Sequence, residues 1–153
     1  LISQPALARH WDTSGTLVAV IHNDLVLPIS VKGILGPPGQ IVLLHNERGE
    51  WEFPGGRLES SDESPTACLG REISEELDLI VDVGLPVHTW QDEPLPGQNV
   101  LLIAYRCEIV GLWPERLSRS RGHSGVRLFN LDEPEAVALR QGYQDALTIA
   151  GLI

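Results

Sequence analysis

The chain has 153 residues, of which 42% are hydrophobic and 21% charged, and carries a net charge of −10. That length suits one domain over 1–153 with a core of its own, and no apolar run approaches a membrane span nor does a basic-then-apolar segment open the chain. The acidity argues against a nucleic-acid polymer as partner, because phosphate backbones are held by basic patches; the expectation is a cytoplasmic protein that engages no membrane.

Residues 1–14 read as an N-terminal arm. Leu27, Ile29 and Val31 face one way with Ser30 and Lys32 the other, and Ile41 to His45 is a second apolar run, so both read as strands. Asn46-Glu47-Arg48-Gly49 is a turn into Trp51, which completes a hairpin. Trp51-Glu52-Phe53 is a short strand ended by Pro54, and Gly55-Gly56 lets the backbone approach a ligand or metal closely.

Ser64 is an N-cap candidate followed by Pro65 at the first helical position, with Asp62 and Glu63 placing negative charge where the helix dipole favours it. Asp78 stands at the far end, where glycine would be the easy left-handed residue. At roughly 100° per residue, with Glu72 at zero, Glu75 falls at about 300° and Glu76 at about 40°. Ile73, Leu77, Gly70, Thr66 and Ala67 fall between about 100° and 220°, which predicts a core face and a separate acid face. Cys68, at about 320° on the same wheel, reads as packing beside the acid arc.

Leu79 to Trp90 and Asn99 to Val110 are strands joined by Pro94-Leu95-Pro96-Gly97, and Cys107 alternates with Tyr105 and Ile109 as a small core residue. A basic loop, Arg116 to Ser124, precedes a strand at Val126, and Pro134 to Ile153 reads as a closing helix. The order of strands, helix, strands, helix predicts an α/β fold with a mixed sheet between helices. The two cysteines form no Cys-x-x-Cys pattern, and the histidines at 10, 22, 45, 88 and 123 show no zinc spacing.

Carboxylates on one helix, following a paired glycine, form an oxygen donor set suited to magnesium, with a backbone carbonyl and a substrate phosphate to complete the shell. The plainer reading of the helix alone is a solvated acidic face. The glycine turn beside it favours the metal.

The run from Gly56 to Leu79 resembles the signature of the Nudix hydrolase family, in its MutT-like form. Arg71, Glu72, Ile73, Glu75, Glu76 and Leu79 match directly, and Glu63 lies eight residues before Arg71. Two departures are visible: six residues separate Gly56 from Glu63, one more than usual, and Asp78 replaces the signature glycine. The resemblance implies the Nudix fold, a mixed sheet sandwiched between helices. It implies hydrolysis of a nucleoside diphosphate linked to another group X, by water attacking phosphorus with Mg²⁺, for which Mn²⁺ can substitute. Such a crowd of carboxylates accepts pyrophosphate only once metal reverses the local sign.

On that pattern Glu72, Glu75 and Glu76 are the helix ligands and the Gly55 carbonyl a further one, with Gly56 and Glu63 in support. Arg71 is expected to pair with Glu63 and hold the loop against the helix. Gly122 stands where an acidic residue often precedes the histidine, so the general base is expected to be Glu72 or Glu76. Arg119 and Arg121 either belong to a solvated loop or close over a terminal phosphate. The implied substrates are a nucleoside triphosphate, an oxidised nucleotide or an ADP-ribose-like diphosphate. A nucleotide-binding or regulatory domain without catalysis is the alternative, and a homodimer is a form many relatives take.

Overall fold

The computed structural model describes residues 6–22, 24–118, 122–133 and 138–153, with the backbone alone described over 6–10 and 18–22. Its strands are β1 (Ala6–Trp11), β2 (Leu17–His22), β3 (Ile29–Ile34), β4 (Gln40–His45), β5 (Trp51–Glu52), β6 (Gly55–Arg57), β7 (Val81–Leu95), β8 (Gln98–Ile109) and β9 (Gly125–Asn130). Its helices are α1 (Pro65–Leu77) and α2 (Gln141–Ile149).

Three sheets result. β6-β3-β8-β7 is mixed, with β3 and β8 parallel; β5-β4-β9 is antiparallel; β1 and β2 form a hairpin of their own. Ile41 and Leu43 enter one core while Val42 and Leu44 enter the other, and all four are buried. Strand β8 divides likewise, Leu102 and Ala104 to one side, Tyr105 and Cys107 to the other. Helix α1 closes the second core with Cys68, Leu69, Ile73 and Leu77, and α2 closes the first with Tyr143, Ala146 and Leu147. Strands covered on both faces read as continuous apolar runs, which is why Ile41 to His45 shows no alternation.

Several expectations shift in detail. Asn46 makes the predicted turn, its Oδ1 accepting the N–H groups of Arg48 and Glu50 at 3.0 Å each. Strand β7 runs through Pro86 and Pro94 to Leu95, because it lies at the sheet edge and carries register shifts that absorb a missing N–H. Only Pro96-Gly97 is left as the turn, with Leu95 paired to Gln98. Of the closing helix expected over Pro134 to Ile153, residues 134–137 lie outside the described residues, 138–140 are not helical, and the helix begins at Gln141 and gives way to Gly151 at φ 70. No described helix is long and apolar enough to cross a membrane.

Helix α1 has the boundaries its sequence predicts. Ser64 is extended, its Oγ accepts the Ala67 N–H at 3.1 Å, and Asp78 adopts φ 54 while its N–H reaches the Ser74 carbonyl at 3.0 Å. The wheel needs one correction. Cys68, Leu69, Ile73, Glu76 and Leu77 are buried, whereas Thr66 and Ala67 are exposed. The core arc is therefore turned toward the acids, and Glu76 lies within it.

Two close approaches pack β3 against its neighbours, α1 and β6. Gly33 on β3 faces the helix, where a Cβ would meet Ile73 Cδ1 at 2.9 Å. Gly55 adopts φ +138, and a Cβ there would meet the Val31 carbonyl oxygen at 2.0 Å. Both the dihedral and the space exclude a side chain. Gly55→Ala is expected to cost about 3 kcal/mol or more in urea unfolding. Gly39→Ala, at φ +76 with nothing within 4 Å, should cost about 1 kcal/mol. Equal losses would contradict the steric account.

Candidate active site

The glycine pair and α1 meet at one buried point. The Gly55 N–H donates to Glu76 Oε2 at 2.8 Å. Glu76 is only 7% exposed. Burial, acting against that hydrogen bond and the nearby Lys32 charge, pushes the Glu76 carboxyl up to about 7. Gly56 has a different duty: a Cβ there would meet the Glu72 carboxyl carbon at 2.4 Å, so the Glu72 carboxylate lies directly over the turn.

Arg71 organises the outer side of this cluster. Its Nε donates to Asp62 Oδ1 at 2.9 Å and its Nη2 to Asp62 Oδ2 at 3.0 Å, a bidentate pair. Its Nη1 reaches Glu72 Oε1 at 2.9 Å and Glu75 Oε2 at 3.4 Å. The expected pairing with Glu63 is corrected: Glu63 is exposed, and Asp62 holds the arginine. The hydrogen bonds from Arg71 hold the Asp62 carboxyl well below the usual carboxylate range. Five residues separate Gly56 from Asp62, so the extra residue falls after the paired acid, not before it. Cys68 is fully buried beneath the pair, its thiol facing the Arg57 carbonyl at 3.3 Å, and burial pushes it up to about 12.

A second polar group adjoins the first. Lys32, on the face of β3 opposite Val31, is 6% exposed and forms an ion pair with Glu52 at 3.4 Å. Tyr143 on α2 donates to Glu52 Oε2 at 3.4 Å. Burial alone would raise the Glu52 carboxyl, but Lys32 and His123 bring it to about 2. His123 Nε2 lies 3.9 Å from Glu52 Oε1 and 3.6 Å from Glu76 Oε1. Lys32, Glu52 and Tyr143 line a cleft of about 150 Å³ that also receives Arg48, Arg57 and Asp92.

The donor chemistry suits a hard divalent cation, because Glu72, Glu75, Glu76 and the Gly55 carbonyl offer oxygen alone. Their arrangement is partly assembled. Glu72 and Glu76 converge on the glycine turn, while Glu75 is 60% exposed and drawn to Arg71. Among the described residues no three His, Cys, Asp or Glu side chains converge as a ligand group. Arg119 and Arg121 lie outside the described residues. Trp51, Phe53 and Trp90 are engaged in ring contacts with Phe129 or Tyr143.

Lys32, Glu52, Asp62 and His123 were not singled out as site residues by sequence reasoning. The spacing from Gly56 could have found Asp62. Lys32 stood within an apolar strand, which was its only signal.

The NUDIX domain family model matches residues 27–148. The chain belongs to the NUDIX family. Solved structures with the same fold include a UDP-X diphosphatase, 15% identical over 85% of this chain and 66% of that one, with a TM-score of 0.68. A MutT NUDIX hydrolase from Burkholderia pseudomallei is 20% identical over 81% of this chain and 98% of that one, with a TM-score of 0.66. An ADP-ribose pyrophosphatase from Streptococcus suis is 20% identical over 83% and 90%, with a TM-score of 0.61. A comparison of the sequence with curated proteins finds no match. By family and fold this chain is a NUDIX domain, and Nudix hydrolases generally use divalent metal.

Two outcomes follow for this Nudix site. Because Glu76 titrates higher in the folded chain than the ordinary carboxyl value of 4.5, its contribution is fully present below that value and is lost as pH rises through about 7. In chelator, wild type should lose on the order of 3 kcal/mol more than Glu76→Gln across that window; parallel pH profiles of the two would contradict it. Asp62→Ala should lower both the melting temperature and the activity, while Glu63→Ala leaves both near wild type. The reverse order would return the pairing to Glu63.

Proposed function

We propose that this chain is a Mg²⁺-dependent enzyme that hydrolyses the pyrophosphate bond of a nucleoside diphosphate linked to X, with Mn²⁺ able to substitute. The observation that carries the reading is the buried Glu76 carboxylate, held on the Gly55 N–H with Glu72 beside it over Gly56. Glu72, Glu75, Glu76 and the Gly55 carbonyl would hold the metal, with Gly56 supporting Glu72. The metal would neutralise phosphate oxygens and lower the pKa of the attacking water. Glu72 or Glu76 is the proposed base, and Arg71 fixes Glu72 and Glu75 from outside. Arg119 and Arg121 are proposed to meet the terminal phosphate. The similar folds of a UDP-X diphosphatase and an ADP-ribose pyrophosphatase support the nucleoside diphosphate class.

One observation favours a second reading, a nucleotide-binding or regulatory domain without catalysis. Glu72 and Glu75 are both engaged by Arg71, and no ligand trio is assembled among the described residues. A binding domain has no need of three mutually repelling acids, which weighs toward the enzyme.

Incubation with Mg²⁺ and a panel of nucleoside triphosphates, oxidised nucleotides, ADP-ribose, dinucleoside polyphosphates and nucleotide sugars, with product identification, decides between them. Turnover of at least one class is expected, and Glu76→Gln should lower its rate by roughly three orders of magnitude with the fold intact. Binding without turnover across the panel would favour the regulatory reading.

A further inference from the structure

Each oxygen of Glu76 faces a nitrogen, one hydrogen-bonded and one in close approach, and the two come from different parts of the chain. Oε2 accepts the Gly55 N–H at 2.8 Å from the turn before β6. Oε1 faces His123 Nε2 at 3.6 Å, from the segment that leads into β9. The same nitrogen faces Glu52 Oε1 at 3.9 Å, while the other Glu52 oxygen meets Lys32 at 3.4 Å and the Tyr143 hydroxyl at 3.4 Å. A polar seam thus runs from α2 through Tyr143, Glu52, His123 and Glu76 to Gly55. His123 is its central member.

The imidazole is presented by an anchored backbone. The Ser124 N–H donates to the His45 carbonyl at 3.0 Å, and His45 Nδ1 lies 2.5 Å from Ser124 Oγ. The next residue, Gly125, pairs with His45 at the end of β4. The residue following the imidazole is therefore fixed to the sheet. A side chain so placed sets where the carboxylate across from it can sit.

We infer that His123 is a positioning residue: it clamps the Glu76 carboxylate against Gly55 and keeps it in register with Glu52 at the cleft. It need not touch substrate. Removing it takes away the group that faces Oε1 and the side chain that stands near both the Glu52 and Glu76 carboxylates. The clamp stands without metal; its bearing on metal binding rests on the hydrolase reading above.

The test uses His123→Leu and His123→Gln, because the glutamine Nε2 reaches the place of the imidazole Nε2 and keeps an N–H donor. In chelator, His123→Leu should lower the urea midpoint at least twice as far in wild type as in the Glu76→Gln background. Additive shifts would overturn the clamp. With Mn²⁺ as probe and no nucleotide present, His123→Leu should weaken binding about tenfold, and His123→Gln should restore it to within about threefold of wild type. Unchanged Mn²⁺ affinity in a folded His123→Leu protein, or no rescue by glutamine, would overturn the positioning role. A wild type that binds no Mn²⁺ while the midpoint shifts stay non-additive would support the clamp and count against the hydrolase reading.

Discussion

Everything in this site depends on a carboxylate that has been taken out of water. Glu76 lies within the buried arc of α1, and a single backbone N–H, that of Gly55, meets it there at 2.8 Å. Burying an ionised carboxylate is costly unless hydrogen bonds and opposite charge offset it. The arrangement around it offsets that cost only in part, from several directions: a glycine backbone that can approach closely, a buried Lys32, and an imidazole facing the far oxygen. The Gly55 conformation, with φ at +138 and the Val31 carbonyl at its back, is what lets the N–H point at the helix at all. A divalent cation would settle the remaining negative charge, so the stability of the fold and its chemistry draw on the same atoms.

The two cores give this point its rigidity. Because β3, β4 and β8 send alternate residues to α1 and α2, a displacement of either helix is felt through the strands between them. The polar seam crosses the same boundary, linking Tyr143 on α2 to Glu76 on α1 through two intermediate side chains. Arg71 performs a related task on the surface, where it gathers Asp62, Glu72 and Glu75 around one guanidinium. One cluster is largely buried beside the cleft, and the other is partly exposed.

Much of this was legible in the sequence, and the failures have physical causes. Ser64-Pro65 and Asp78 fixed the ends of α1 because capping is a local matter of hydrogen bonds and dihedral angles. The apolar runs located β3 and β4, and the order of elements indicated a mixed sheet between helices. The wheel separated an acid face from a core face because it assumed that charge faces water; Glu76 breaks that assumption, and only the sheet beneath it reveals why. Alternation put Ser30 and Lys32 on the face opposite Val31, but only the folded sheets make that face the floor of the cleft. The pairing of Arg71 with Asp62 was missed because motif spacing counts residues, whereas the guanidinium selects whichever carboxylate the loop brings near. Pro94 suggested a turn, but an edge strand can absorb it. Tertiary context decided each of these cases.

The central strand pair has a consequence for how the chain reaches this state. β3 lies parallel to β8, with Ile29 beside Leu101, and β4 meets β9 with Gln40 opposite Asn130. Such pairings close long loops before any contact rewards them, and parallel pairing cannot be reached by a tight turn. The β7–β8 hairpin and α1 can form early from neighbouring residues, but Lys32, Glu52 and His123 come together only when the distant strands have docked. A chain that has collapsed and not yet paired β3 with β8 would carry the complete sequence motif and no site. The pairing of β3 with β8 is thereby also the step that assembles the site.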